Sequence, residues 1–88
     1  MACYRIVWKQ SARKELRKIP KATIARIVAL VDDLAENPVP PGVKKLAGTS
    51  HTYRIRTGNY RVVYNIDNHV LVVEIVRVGH RKEVYKAI

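Results

Sequence analysis

Residues 51–78, HTYRIRTGNYRVVYNIDNHVLVVEIVRV, decide the fold of this chain. They hold three runs rich in β-branched and aromatic residues that alternate with polar ones, at His51–Arg56, Tyr60–Ile66 and His69–Val78. The runs are separated by Thr57-Gly58-Asn59 and by Asp67-Asn68, which are typical turn sequences between antiparallel strands. The second half of the chain is therefore predicted to form three consecutive antiparallel strands.

The first half of the chain has a different periodicity. Cys3–Trp8 predicts a strand, and Ser11 is a candidate N-cap for a short helix that stops before Pro20. From Lys21 onward, apolar residues keep a helical period until Asn37-Pro38 ends the helix. The two helices are expected to pair as a hairpin with one continuous apolar face.

Together these elements predict an α+β fold in the order β-α-α-β-β-β, followed by a short C-terminal tail. The sheet should have four strands, mostly antiparallel, with the helical hairpin packed on one face and the other face uncovered. Residues 43–48 are interpreted as a connection into the second half. Eighty-eight residues have room for one hydrophobic core, so the chain 1–88 is expected to be a single domain.

The composition predicts an acidic partner. The chain has 17 Lys and Arg against 7 Asp and Glu, a net charge of +10, which attracts nucleic acid or an acidic protein. A membrane surface is disfavoured because the cations are spread along the chain. No apolar run suggests a leader or a bilayer span, so a cytoplasmic location is expected.

Cysteine and histidine usage predicts neither a disulfide nor a cofactor. Cys3 is the single cysteine, and the three histidines at 51, 69 and 80 have no ligand-like spacing. We therefore expect no metal.

Strand alternation indicates where the arginines point. Arg54 and Arg56 share the face opposite Tyr53 and Ile55, and Arg61 lies opposite the apolar face of its own strand. Strict alternation would place Arg77 with Val73 and Ile75. One strand arginine is usually a solvated charge, but several on one face are unfavourable without an anion between them.

Other cations are interpreted more simply. Lys44 and Lys45 are expected to be solvated loop charges that widen the basic field. The basic face of the first helix is expected to be a solvated surface or a secondary phosphate contact; it carries Arg13, Lys14, Arg17 and Lys18.

Four stretches together resemble the RelE branch of the RelE/ParE toxin superfamily. They are KKLAG at 44–48, YRIR at 53–56, GNYRVVY at 58–64 and RVGHRKEVY at 77–85. The resemblance covers nearly the whole chain. It implies the toxin of a toxin–antitoxin pair, which enters the ribosomal A site and cuts the mRNA codon there without a metal.

The resemblance also implies roles for individual residues. Arg61 would hold the scissile phosphate, Arg81 would stabilise it and assist the leaving oxygen, and Tyr85 would stack on or activate the nucleotide. The RNA-binding residues would be Lys44, Lys45, Arg54, Arg56, Arg77 and Lys82. The implied partners are an acidic RelB-like antitoxin, mRNA and the 70S ribosome, with operator DNA bound only through the antitoxin complex.

Arg54 and Arg56 stand where the family often carries lysines. Arginine does not lose its proton in proteins, so neither residue can be the general base. Two candidates remain: Tyr85, which the resemblance favours, and His80, which titrates near neutrality when unperturbed. Two other functions stay open, a ParE-like inhibitor of DNA gyrase and a nucleic-acid-binding module without catalysis.

Overall fold

The chain forms a five-stranded mixed sheet with two helices packed against one face, which confirms the α+β prediction. The computed structural model describes residues 3–80. The strands lie in the order β1-β5-β4-β3-β2; β1 is parallel to β5, and all other neighbours are antiparallel. The elements are β1 (Arg5–Trp8), α1 (Gln10–Arg17), α2 (Lys21–Asp33), β2 (Lys44–Lys45), β3 (Thr52–Thr57), β4 (Tyr60–Asp67) and β5 (Val72–His80).

The first helix begins at Gln10, two residues earlier than an N-cap at Ser11 would require. Its N-cap is Lys9, which makes no side-chain capping bond. The backbone N–H of Lys9 donates to the carbonyl of Ile75 at 2.9 Å, so the chain leaves the β1–β5 ladder and enters the helix without a spacer. The Ser11 cap prediction is therefore wrong, because strand pairing fixes the start of the helix.

The second helix begins after Pro20 as expected, but it ends at Asp33, before Asn37-Pro38. The next residues form tighter turns. The N–H of Leu34 donates to the backbone carbonyl of Val31 at 3.0 Å, and the N–H of Ala35 donates to the backbone carbonyl of Asp32 at 3.2 Å. Neither helix in residues 3–80 is long and apolar enough to cross a bilayer.

The core lies between the helices and one face of the sheet, here called the helix face. Tyr64 is at its centre, fully buried, and its hydroxyl donates to the carbonyl of Pro38 at 2.6 Å. Burial, with a smaller effect of Tyr53, raises the pKa of Tyr64, so the phenol stays a proton donor. The other buried apolar residues of this cluster are Ala12, Ile19, Ile27, Val31, Leu34, Ile55, Val62, Ile66, Val73, Ile75 and Val78.

The fifth strand, β2, was not predicted. Lys44 and Lys45 pair with Arg54 and Tyr53, so the interpretation of these lysines as loop residues is wrong, although both are exposed as expected. Two residues are too few to show alternation. This strand exists because the edge of β3 offers it backbone partners.

The two turns differ in how well they follow the sequence. Gly58 and Asn59 join β3 to β4, and Gly58 has φ +60°, which suits a two-residue hairpin loop. The loop from Asp67 to β5 is longer than predicted. The Asp67 carboxylate accepts the N–H groups of His69 at 2.9 Å and Val70 at 3.3 Å, so β5 starts at Val72.

A bulge in β5 overturns the predicted side for Arg77. Val63 pairs with Arg77 and Tyr64 with Ile75, which leaves Val76 without a cross-strand partner on β4. Neighbouring residues on β4 point to opposite faces, so Arg77 lies on the face opposite Ile75. Strict alternation is therefore wrong beyond Val76.

Candidate nucleic-acid interface

The face of the sheet away from the helices, here called the open face, gathers the arginines of β3 and β4. Arg56 and Arg61 are directly opposite each other across the β3–β4 ladder. Arg54 lies two residues from Arg56, on the same side, and Lys44 is the partner of Arg54 on β2. The predicted face for Arg54, Arg56 and Arg61 is thus confirmed. These four residues are called the cationic end.

A groove of about 540 Å³ runs beside the cationic end, where β2 stops and the edge of β3 continues. The four cations line it together with apolar side chains from Leu30 and Ile55. Lys44 and Arg56 are exposed, whereas Arg54 and Arg61 are half-buried. Such a groove offers charge to a phosphodiester and an apolar surface beside it.

Val63 occupies the middle of the open face. It is only 1% exposed, and its cross-strand neighbours are Arg54 on one side and Arg77 on the other. The cations of this face are therefore attached around a tightly packed apolar position.

Arg77 is held by a carboxylate. Its terminal nitrogen lies 3.0 Å from Glu15 of α1, and its Nε–H donates to the same carboxylate at 3.1 Å. Glu15 also accepts the backbone N–H of Val78 at 3.1 Å. Beyond Ile75, where β1 has ended, the Glu15 carboxylate accepts a backbone N–H on the edge of β5 that no neighbouring strand in residues 3–80 pairs with. The role of Glu15 could not be predicted from the sequence, because its partner is 62 positions away in the chain.

His80 is not brought together with Arg61. It pairs with Tyr60, and the two rings meet edge-on, with centroids 5.8 Å apart at 80°. Arg61 pairs instead with Gly79, so the side chain of His80 lies on the helix face. The bulge at Val76 is the reason for this placement.

The remaining predicted site residues divide into two groups. Lys45 pairs with Tyr53 and therefore lies on the helix-face side of the sheet edge, apart from Lys44. Arg81, Lys82 and Tyr85 lie outside the described residues. Within residues 3–80, no group of three or more His, Cys, Asp or Glu is arranged to hold a metal ion.

The comparisons with known proteins identify the family. Residues 6–85 match the family model of the ParE toxin of the type II toxin–antitoxin system parDE. The toxin RelG of Mycobacterium tuberculosis is 32% identical over 84 residues, which is 94% of this chain and 97% of RelG.

Solved structures give the same result at the level of the fold. The archaeal RelE–RelB complex of Pyrococcus horikoshii matches with a TM-score of 0.81 and 34% identity, over 94% of this chain and 99% of that one. The RelBE2 toxin–antitoxin complex of M. tuberculosis matches with a TM-score of 0.80 and 33% identity, over 90% and 99% of the two chains. The chain belongs to the RelE/ParE superfamily of type II toxin–antitoxin toxins, in its RelE branch.

Proposed function

We propose that this toxin is a metal-independent endoribonuclease that cuts mRNA in the ribosomal A site. The observation that carries the proposal is the cationic end, where Arg54, Arg56 and Arg61 share one face without an intervening helix in residues 3–80. Directly opposed arginines attract a shared anion, and a phosphodiester is the anion that mRNA supplies.

The chemistry needs orientation and charge stabilisation more than any cofactor. The ribose 2′-oxygen attacks the adjacent phosphorus, and the bond from phosphorus to the 5′-oxygen breaks. The 2′-hydroxyl proton goes to a general base, the 5′-oxygen gains a proton, and a 2′,3′-cyclic phosphate remains. Arg61, with Arg54 and Arg56, would stabilise the charge that develops on the phosphate oxygens.

The placement of His80 bears on the choice of general base. A base must reach the 2′-hydroxyl, within hydrogen-bond distance or through one water. His80 lies on the helix face, beside Tyr60, whereas Arg61 lies on the open face. This separation favours Tyr85, with Arg81 assisting the leaving oxygen, as the resemblance implies.

The proposal includes a protein partner. The matching structures from P. horikoshii and M. tuberculosis are RelE–RelB and RelBE2 complexes, and we propose that this chain likewise binds a RelB-like antitoxin. With a net charge of +10, the toxin should select an acidic partner. Because the proposed substrate is translated mRNA, the proposed site of action is the cytoplasm.

The matched family model bears the name of ParE, so gyrase inhibition is the competing function. The test is induced expression of the full chain, followed by mapping of mRNA 5′ ends and measurement of plasmid supercoiling. The nuclease proposal expects new 5′-hydroxyl ends within translated codons and unchanged supercoiling. Intact mRNA with a loss of supercoiling would establish the ParE-like function, and intact mRNA with salt-sensitive RNA binding would leave a binding module.

A further inference from the structure

A second groove opens on the open face, at the opposite end from the cations. Its volume is about 550 Å³. Within residues 3–80, its walls contain the carboxylates of Asp67 and Glu74 but no Lys or Arg side chain. Two carboxylates disfavour a phosphate in such a groove, so a base of a nucleic acid fits it better than the backbone does. We call it the carboxylate groove; its walls include Val7, His51, Asn65, His69, Val70 and Glu74.

Three polar side chains form a hydrogen-bonded line across β3, β4 and β5 at this groove. The hydroxyl of Thr52 donates to Oδ1 of Asn65 at 2.7 Å. Nδ2 of Asn65 donates in turn to Oε1 of Glu74 at 3.4 Å. The line follows the strand register, in which Thr52 is opposite Asn65 and Asn65 opposite Glu74. Both neighbours thus fix the orientation of the Asn65 amide.

The two carboxylates of the groove have different tasks. Asp67 shapes the turn, because it accepts the backbone N–H groups of His69 and Val70. Glu74 accepts a hydrogen bond from the side chain of Asn65, which uses one of its roughly four lone-pair sites. Its remaining lone pairs can accept from a donor outside the protein.

We propose that Asn65 and Glu74 form a subsite that recognises a guanine base of the RNA. The second N–H of the Asn65 amide and the two oxygens of Glu74 present one donor followed by two acceptors. The Watson–Crick edge of guanine presents the complement, the O6 acceptor followed by the N1–H and N2–H donors. Adenine, cytosine and uracil each place an acceptor where a carboxylate oxygen would repel it.

The walls of the groove suit the flat face of a base. Val7 is 36% exposed and Val70 is 66% exposed, so both present apolar surface at the groove. The imidazoles of His51 and His69 are also exposed beside them. Protein recognition of single-stranded RNA combines such packing surfaces with hydrogen bonds to the base edge.

The position of the groove defines which nucleotide it reads. Asn65 is four residues from Arg61 along β4, a distance of about 13 Å at roughly 3.3 Å per residue. A base at Asn65 therefore belongs to a nucleotide near the cleaved bond. The inference deepens the proposed function, on which it rests for its substrate.

The first test uses the full chain with ribosomes and mRNAs randomised around the A-site codon. The wild type should favour guanine at one position near the cut. Glu74→Gln should lower the ratio of cleavage at guanine to cleavage at adenine about tenfold, the scale of one bidentate base contact. Glu36→Gln, at an exposed site after α2, makes the same charge change and should keep the ratio. An unchanged ratio in Glu74→Gln overturns the subsite.

A second test separates this inference from the nuclease proposal. Guanosine 5′-monophosphate should shift the NMR signals of the Asn65 side-chain amide in the intact toxin, and adenosine 5′-monophosphate should not. A guanosine-specific shift without mRNA cleavage would support the subsite and defeat only the nuclease. Equal shifts, or none, would overturn the subsite even if cleavage occurs. It would also be overturned if Glu74→Gln weakened antitoxin binding while leaving the base preference intact.

Discussion

At one end of the open face, Arg56 and Arg61 stand opposite each other on β3 and β4; further along the same strands, Thr52 and Asn65 lead to Glu74. Both residue pairs belong to the same antiparallel pairing of β3 with β4. One end offers charge, which attracts any phosphate, and the other offers a fixed pattern of donors and acceptors. In the two proposals above, RNA affinity comes from one end of the β3–β4 pairing and base selectivity from the other, four residues away along each strand.

The largest effect is expected from removing Arg61. Arg61→Ala should reduce the rate of mRNA cleavage by about 10²- to 10³-fold, the scale of losing one donor to a developing oxyanion. The measurement is the rate of 5′-end formation on programmed ribosomes at saturating toxin. A cleavage rate within a factor of about three of wild type would remove Arg61 from the chemistry.

The matched control is Arg26→Ala. Arg26 is an exposed arginine on α2, outside both ends of the open face. This variant carries the same charge change and should cleave at the wild-type rate. Thermal unfolding of both variants separates loss of chemistry from loss of fold.

The next prediction concerns how RNA binding by variants at the two ends of the open face depends on salt concentration. Arg56→Ala should weaken RNA binding several-fold and lower the slope of log K against log salt by about 0.7, since each phosphate contact releases counterions. Glu74→Gln should leave the slope as it is, because the carboxylate groove binds no phosphate. Titration of a fluorescent single-stranded RNA over a range of salt measures both. Equal slopes for Arg56→Ala and the wild type would show that the cationic end does not hold phosphate.

The three arginines of the cationic end could be predicted because their placement depends on local periodicity, whereas Lys44 joins them through a strand that was not predicted. Alternation along β3 and β4, with their apolar residues facing the core, places Arg54, Arg56 and Arg61 on one side. The groove at the other end was missed. Its key contact joins Asn65 to Glu74 across two strands, and neither residue type marks a base-binding site by itself.

The wrong face predicted for Arg77 has an identifiable physical cause. The bulge at Val76 reverses the alternation for Arg77, and no feature of the sequence marks the extra residue. His80, predicted to lie in the tail after the strand, is the last residue of β5. The strand β2 and the contact of Glu15 with Arg77 depend in the same way on pairings between distant segments. Local patterns therefore predicted both helices, four of the five strands and part of the open face, but not the pairings that complete it.

A smaller effect is expected from the far end of the polar line. Thr52→Val keeps the shape of the side chain but removes the hydroxyl that orients Asn65. The preference for guanine should fall by about threefold, less than in Glu74→Gln, because a neutral hydrogen bond contributes roughly 0.5–1.5 kcal/mol. The randomised mRNA assay measures it. Thr57→Val on the same strand, on the helix-face side, is the control; a loss as large there would mean that the strand as a whole, not the line, was disturbed.

The smallest effect on RNA affinity is expected from Arg77, although it flanks Val63 just as Arg54 does. Arg54→Ala and Arg77→Ala are thus a matched pair in the same row of the sheet. Arg77→Ala should change RNA affinity less than twofold, since Glu15 balances the guanidinium at 3.0 Å. Arg54→Ala should weaken binding several-fold, because Arg54 belongs to the cationic end that we propose binds phosphate. Urea unfolding should show a loss of about 1 kcal/mol for Arg77→Ala, the scale of a partly exposed ion pair.

Glu15→Gln tests whether the Glu15 carboxylate keeps Arg77 from contributing to RNA binding. It removes the charge that balances Arg77, so RNA affinity should rise and the salt slope should steepen by about 0.7. If Arg77→Ala instead weakens RNA binding as much as Arg54→Ala does, the ion pair opens when RNA binds. The cationic end would then extend across all of β3, β4 and β5, and Glu15 would act as a competitor of the RNA phosphate for Arg77.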